Sequence, residues 1–231
     1  MKKIVVLTGA GISAESGLST FRDSGGLWDK YPVEQVATPE GWNADSGLVT
    51  RFYNERRQQL AQVEPNEAHR LLAQLESCYE VVVVTQNVDN LHERAGSSRV
   101  IHLHGELTKV TSSRDPENPQ FIRTLQPAEY EVPEGAKAGD GSLLRPYIVW
   151  FGEAVPRMEE AVEEARRADI FIIIGTSLNV YPAAGLVNYV PRTARIYVID
   201  PQTVKISNSP RIRYLETTAT QGMKTVVGEL M

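Results

Sequence analysis

Cys78 is the only cysteine in this 231-residue chain. One cysteine excludes an internal disulfide and any thiolate metal cluster built within a single chain. Long basic runs are missing as well: none exceeds two residues, and 29 Asp and Glu outweigh 24 Lys and Arg for a formal net charge of -5. That balance argues against a surface that tracks nucleic-acid phosphates and leaves basic protein segments as compatible partners. Apolar runs are short. The longest, such as 170–174, fall far below the about 20 residues that a membrane-crossing helix requires. The N-terminal MKKIVVLTGAGIS passes directly from an apolar strand into a glycine turn, where a signal peptide would carry its cleavage site. A cytoplasmic protein without membrane attachment is therefore expected.

What is present is a rhythm of short β-branched runs at 3–7, 81–84, 100–103, 170–174 and 196–199. Near-continuous apolar strands suit a parallel sheet covered on both faces. Helical patterns fall between them, at 68–75 and at 158–168 after Pro156, and 220–230 reads as a docking helix. The alternation predicts an α/β fold with a Rossmann-like, doubly wound parallel sheet. Two segments break it and read as insertions forming a small lobe. The expected division is 1–24, 65–107 and 146–231 for the sheet domain, with 25–64 and 108–145 for the lobe.

The first strand ends in TGAGISAESG, where Gly9, Gly11 and Ala14 fit a dinucleotide-binding fingerprint. Glycine turns after strands are common, and the acidic residue that usually follows about 20 residues later is absent. TQNVDNLHERAG places Gln86, Asn87 and Asp89 at the end of the second strand, where open α/β sheets bind ligands; Asp89 equally suits a helix cap. VIHLHGEL sets His102 and His104 on one side of a strand, unless the strand ends between them. No third ligand is near, so one structural histidine is expected, with His104 beside Gly105 the better general base. In FYNERR, Tyr53 and Arg56 share a helix face. On spacing alone that pair reads as an ordinary solvated face.

Together, GAGISAESGLSTFR, TQNVDNLHERAG, HLHGEL, RPYIVWFGE and GTSLNVYP, in this order along the whole chain, resemble the sirtuin family. The resemblance implies an enzyme, an NAD-dependent protein lysine deacylase that consumes NAD and releases nicotinamide, O-acyl-ADP-ribose and free lysine. Rival readings are NAD hydrolysis, ADP-ribosyl transfer, or a non-catalytic NAD or ADP-ribose sensor. It further implies that the 9–28 loop wraps NAD through Gly9, Ala10, Gly11, Ile12, Ser13, Glu15 and Trp28, with Phe21 and Arg22 near the nicotinamide ribose. Gln86, Asn87, Val88 and Asp89 line the nicotinamide pocket, with Asn87 and the base His104 catalytic. Gly175, Thr176 and Ser177 meet the phosphates and a ribose, and Val198, Ile199, Asp200 and Ala219 approach the adenosine. Val149, Phe151 and Gly152 bind the substrate peptide as an added strand.

Two departures stand out. Val198 takes a place where many sirtuins carry asparagine, which predicts a lost ribose hydrogen bond or one taken over by Asp200. The family's four zinc-binding cysteines are also missing, with Ser112 and Ser113 at the first pair and none across 135–144. A lobe without zinc, held by its own packing, is expected. Finally, a sirtuin branch with tyrosine and arginine at the positions of Tyr53 and Arg56 prefers succinyl and malonyl groups. A guanidinium can clamp the terminal carboxylate and a phenol can donate to it. Arg57, pointing elsewhere, is expected to serve as an internal control.

Overall fold

The computed structural model describes residues 1–18, 30–204, 206 and 209–231. Strand β1 (Lys3–Thr8) lies inside a six-stranded sheet between β2 (Glu80–Thr85) and β7 (Ile170–Ile174). Beyond β2 lies β3 (Val100–His102), and beyond β7 lie β8 (Arg195–Ile199) and β9 (Ile212–Leu215), every pairing being parallel. The order β3-β2-β1-β7-β8-β9 changes direction at β1, so the chain leaves β1 and β7 on opposite sides of a crevice at their C-terminal ends.

The two-residue side-chain period of a strand explains why these runs are apolar throughout. Val5 and Leu7 of β1 enter one core with Phe171, Ala161 and Ala165, whereas Ile4 and Val6 enter another with Leu72, Leu75, Met223 and Val226. The first core is covered by α7 (Met158–Arg166), and the second by α5 (Glu67–Leu75) and α8 (Ala219–Leu230). Each fully buried side chain of this size contributes about 1.5–3 kcal/mol relative to exposure.

A second sheet holds β4 (Gly105–Ser112) antiparallel to β5 (Arg123–Thr124) and β6 (Leu144–Ile148). Gly105 has φ +81, and a Cβ there would stand 2.1 Å from the Tyr147 carbonyl oxygen. Only glycine lets β4 start so close to β6. Against this sheet lies α4 (Ser46–Ala61), capped by the Asp45 carboxylate on the Leu48 N–H at 2.8 Å. Phe52, Tyr53 and Leu60 of α4 share a core with Leu107, Ile148 and Trp150.

Polar contacts fix α4 further. Asn54 donates to the Val132 carbonyl at 2.8 Å and accepts its N–H at 3.1 Å. Arg57 is only 1% exposed, donating from Nε to the Leu107 carbonyl and from Nη1 to Asn54 Oδ1, both at 2.8 Å. It points away from Arg56 as expected, but as a structural residue it is unsuited to serve as a neutral control.

Ser112 Oγ donates to Asp140 Oδ2 at 2.7 Å, Ser142 Oγ donates to Asp140 Oδ1 at 2.7 Å, and the two hydroxyls lie 2.9 Å apart. The N–H groups of Arg114 and Asp115 also donate to Ser112 Oγ. Two hydroxyls and one carboxylate do not fit zinc, which takes thiolate and imidazole in structural sites. Among the described residues no group of three His, Cys, Asp or Glu could hold a metal. The lobe thus has a polar clasp in addition to its small apolar core of Val110, Leu125, Tyr130 and Val132.

Candidate active site

The crevice is lined by the residues that end β1, β2 and β7. Gly9 and Gly11 follow β1, and a Cβ on either would fall within 2.7 Å of the Gly175 or Thr176 backbone or side chain. The glycines are therefore required first by the close approach of two strand ends. Helix α1 (Gly11–Ala14) is a single turn, with Ile12 in the core and Ser13 2% exposed. Ala10 is partly buried, and Glu15 accepts the Thr220 N–H at 2.8 Å near the start of α8, beside buried Ala219. Phe21, Arg22 and Trp28 lie outside the described residues.

Asn87 and Asp89 are buried in the turn after β2. Ser13 Oγ donates to Asp89 Oδ2 at 3.0 Å, and Asn87 Nδ2 donates to the Gly9 carbonyl at 3.1 Å and to Ser13 Oγ at 3.2 Å. Asp89 Oδ1 also accepts the Leu91 N–H at 3.1 Å, so it orders the start of α6 (Leu91–Arg94) while facing Ser13. Burial raises the Asp89 pKa, opposed by Leu91, Ser13, His102 and Arg56. Gln86 Nε2 reaches Thr176 Oγ1 at 3.0 Å and so bridges the ends of β2 and β7; Ser177 follows, partly buried. Val88 packs against the α4 core.

Strand β3 ends at His102, so the two histidines part company. His104 Nδ1 donates to the Gln86 carbonyl at 3.0 Å, which leaves the lone pair on Nε2. Burial lowers its pKa, with the Gln86 bond opposing, so the ring is neutral near pH 7. His102 is instead held by Asn87 and Glu93.

A contact that spacing could not reveal lies beneath the turn. His92 Nε2 faces Thr8 Oγ1 at 3.1 Å, Thr8 Oγ1 donates to Thr85 Oγ1 at 2.8 Å, and Thr85 Oγ1 accepts the Asn87 N–H at 3.0 Å. Thr8 is far in the chain from the other three residues and meets them because β1 and β2 pair in register through Thr8 and Thr85.

Tyr53 is 1% exposed and accepts the Trp150 Nε1–H at 3.1 Å. Arg56 is partly buried with its guanidinium 5.8 Å from the Phe52 ring; burial lowers its pKa while Tyr53 and Asp89 oppose this. Arg56 thus lies in the field of both the phenol and the buried carboxylate. The Val149 N–H donates to the His104 carbonyl and the Phe151 N–H to the Ala37 carbonyl, both at 3.0 Å; Phe151 and Gly152 are exposed.

On the expected adenosine side, the Val198 side chain is fully buried in one core of the sheet and Ile199 in the opposite one, so only their main chains can face a ligand. The polar side chain at the end of β8 is Asp200, whose Oδ1 accepts the Gln202 N–H at 2.8 Å.

Residues 9–182 match the Sir2 family. The chain belongs to that family. A Bacteroides thetaiotaomicron relative named NAD-dependent protein deacylase is 66% identical over 97% of this chain and 96% of its own. A Helicobacter pylori protein of the same name is 48% identical over 100% of this chain and 98% of its own. Among solved structures, a Sir2 homolog–NAD complex superposes with a TM-score of 0.86 at 38% identity, covering 99% of this chain and 89% of that one. A Sir2 protein bound to acetylated peptide gives 0.81 at 31%, covering 98% and 92%. For this Sir2 chain the six-stranded parallel sheet and the small antiparallel sheet agree with the architecture of those structures.

Proposed function

We propose that this chain is an NAD-dependent protein lysine deacylase, with His104 as general base and Asn87, Asp89 and Ser13 forming the pocket beside it. The observation that carries the reading is the His104 Nδ1 bond to Gln86, next to the buried Asn87–Ser13–Asp89 cluster. The donor set fits NAD: a buried carboxylate and two amides suit a carboxamide, and Gly175, Thr176 and Ser177 lie at the end of β7 near the Gly9 turn. NAD supplies the ADP-ribosyl acceptor for the acyl group. Asp89 holds the amide, Asn87 orders the crevice through Gly9 and Ser13, and His104 Nε2 takes the proton from a ribose hydroxyl. A neutral imidazole with one nitrogen tied to a carbonyl suits that step.

The proposal extends to the remaining assignments. The 9–28 loop, Gln86, Val88, Asp200 and Ala219 contact the cosubstrate, and the exposed Phe151 and Gly152 with Val149 receive an acylated lysine segment of a protein substrate. The NAD domain comprises 1–24, 65–107 and 146–231, with 25–64 and 108–145 as the small lobe, and the enzyme acts in the cytoplasm. Among the described residues no helix is long and apolar enough to cross a membrane.

For the acyl group we propose acidic chains in addition to acetyl. Tyr53 and Arg56 on α4 support this, because each lies in the other's electrostatic field and Arg56 also feels Asp89. A succinyl or malonyl carboxylate meets a cation and a phenol there. The test is incubation of acetyl-, succinyl- and malonyl-lysine peptides with NAD, followed by mass spectrometry. O-acyl-ADP-ribose is the expected product; NAD cleavage without acyl transfer would refute the reading.

A further inference from the structure

Asn87 is gripped from several sides, and one grip is unlike the others. Its N–H goes to the Thr85 hydroxyl and its amide to Gly9 and Ser13, all neutral partners. Its main-chain carbonyl lies 3.0 Å from His102 Nδ1, while His102 Nε2 lies 2.7 Å from Glu93 Oε1. His102 is 5% exposed and therefore has little water to turn to. A carbonyl and a carboxylate are both acceptors only, so both bonds exist together only when the ring carries two N–H groups.

We propose that His102 is a positioning residue for the reaction, acting as an imidazolium that Glu93 sustains and that holds the Asn87 carbonyl from beneath the nicotinamide-side pocket. This rests on the role given to Asn87 above. On deprotonation the ring retains one hydrogen. The charge-assisted bond to Glu93 keeps it on Nε2, and the Nδ1 lone pair then confronts the Asn87 oxygen. The carbonyl loses its donor and the turn bearing Asn87 and Asp89 loosens. The base His104 is tied to the adjacent carbonyl of Gln86, so the disturbance reaches the base through one peptide unit.

The groups around His102 agree with a charged ring. From α6 come Glu93 and the neutral His92, from the turn after β2 comes Asp89, and from β4 comes Glu106, itself paired with Lys109 at 2.7 Å. Burial is the largest influence and works to lower the His102 pKa, but the bond and charge of Glu93, Glu106 and the Asn87 carbonyl together raise it. Glu93 is correspondingly lowered, its own burial being outweighed by His102 together with its backbone bond and Lys109.

Two variants test this without touching the pocket. In Glu93→Gln the amide can donate to Nε2, so a neutral His102 keeps its hydrogen on Nδ1 and the Asn87 bond no longer needs the extra proton. In His102→Asn a non-titrating amide takes the place of Nδ1. We expect the kcat/KM of the native enzyme on an acetyl-lysine peptide to fall on the alkaline side, and each folded variant to lose that limb or shift it by about one pH unit or more. Superimposable profiles would overturn the proposal. Nitrogen NMR of histidine-labelled protein provides the second arm, independent of activity. Two protonated His102 nitrogens at pH 7 in the native chain and one in Glu93→Gln are expected; a neutral native His102 would refute the pair. If the native chain deacylates no peptide, the functional reading fails while the NMR still decides the state of the ring.

Discussion

Trp150 Nε1 donates to the Tyr53 hydroxyl oxygen across 3.1 Å, joining the segment after β6 to the middle of α4. Indole is a donor only, so the phenol oxygen is the acceptor and its proton is directed elsewhere. In a site that takes acidic acyl chains, this sets Tyr53 up as a donor. Arg56→Met is expected to remove most desuccinylation while leaving deacetylation largely intact, read as kcat/KM on paired peptides. Arg51→Met provides the charge control, since Arg51 is on the same helix but is exposed and paired with Glu134. Equal losses of both activities in Arg56→Met would return the pair to an ordinary helix face.

Arg57→Met should act differently from its neighbour. It strands the buried Leu107 carbonyl, costing about 1–3 kcal/mol when left unsatisfied, while Asn54 Oδ1 loses one of its two donors and keeps the Val132 N–H. A lowered unfolding midpoint in urea is expected, with an unchanged ratio of succinyl to acetyl turnover in the protein that remains folded. A changed ratio would mean that Arg57 also sets acyl choice.

His104→Ala should lower deacylation by about 10²–10⁴-fold while NAD still binds in calorimetry. Retention of near-native turnover would exclude His104 as the base.

Acid should weaken the fold through His69 and His92. Both are fully buried, neither His69 nitrogen has a partner among the described residues, and the two rings pack edge to face at 4.9 Å. Burial, with Arg70 adding and Glu93 opposing, holds His69 at about 4 against an ordinary 6.5. The unfolded chain thus binds more protons below pH 6.5, and stability falls as pH drops from there toward 4. For His69 alone this amounts to about 3 kcal/mol at the acid end. His69→Leu should flatten the fall in melting temperature between pH 7 and 5; parallel curves for the two proteins would contradict it.

The clasp at Ser112 predicts activity that persists in strong chelator and elemental analysis without stoichiometric zinc. Asp140→Ala should open the 113–139 segment to trypsin, read by limited proteolysis at Arg114, Arg123 or Lys137. One zinc per chain, or an unchanged cleavage rate, would count against it.

Legibility followed burial. The strands packed on both faces announced themselves as β-branched runs, and helices α5, α7 and α8 lay within two residues of their expected bounds. β9 did not, because an edge strand of sequence IRYL with Arg213 and Tyr214 exposed has no two-faced core to write into it. β4 was hidden by its Thr, Lys and Ser content and by a register shift after Gly105. The placement of Asn87, Asp89 and His104 was readable because they follow the ends of β2 and β3. The Thr8–Thr85–His92 contact and the Glu93–His102 pair were not, since they depend on strand register and on a short helix folding back beneath it. FYNERR shows the limit of helical spacing: it places Arg56 and Arg57 on different faces but does not say that Arg57 is the one sealed inside.

The segment that begins at Val149 hangs from the main chain of His104 by a single hydrogen bond at 3.0 Å. With 149–152 receiving the substrate and His104 as base, as proposed above, grip on the peptide and placement of the base are not separate adjustments. On that reading, reshaping 149–152 for a different protein partner also tugs on His104 through this bond, and altered partner choice is expected to come with altered turnover.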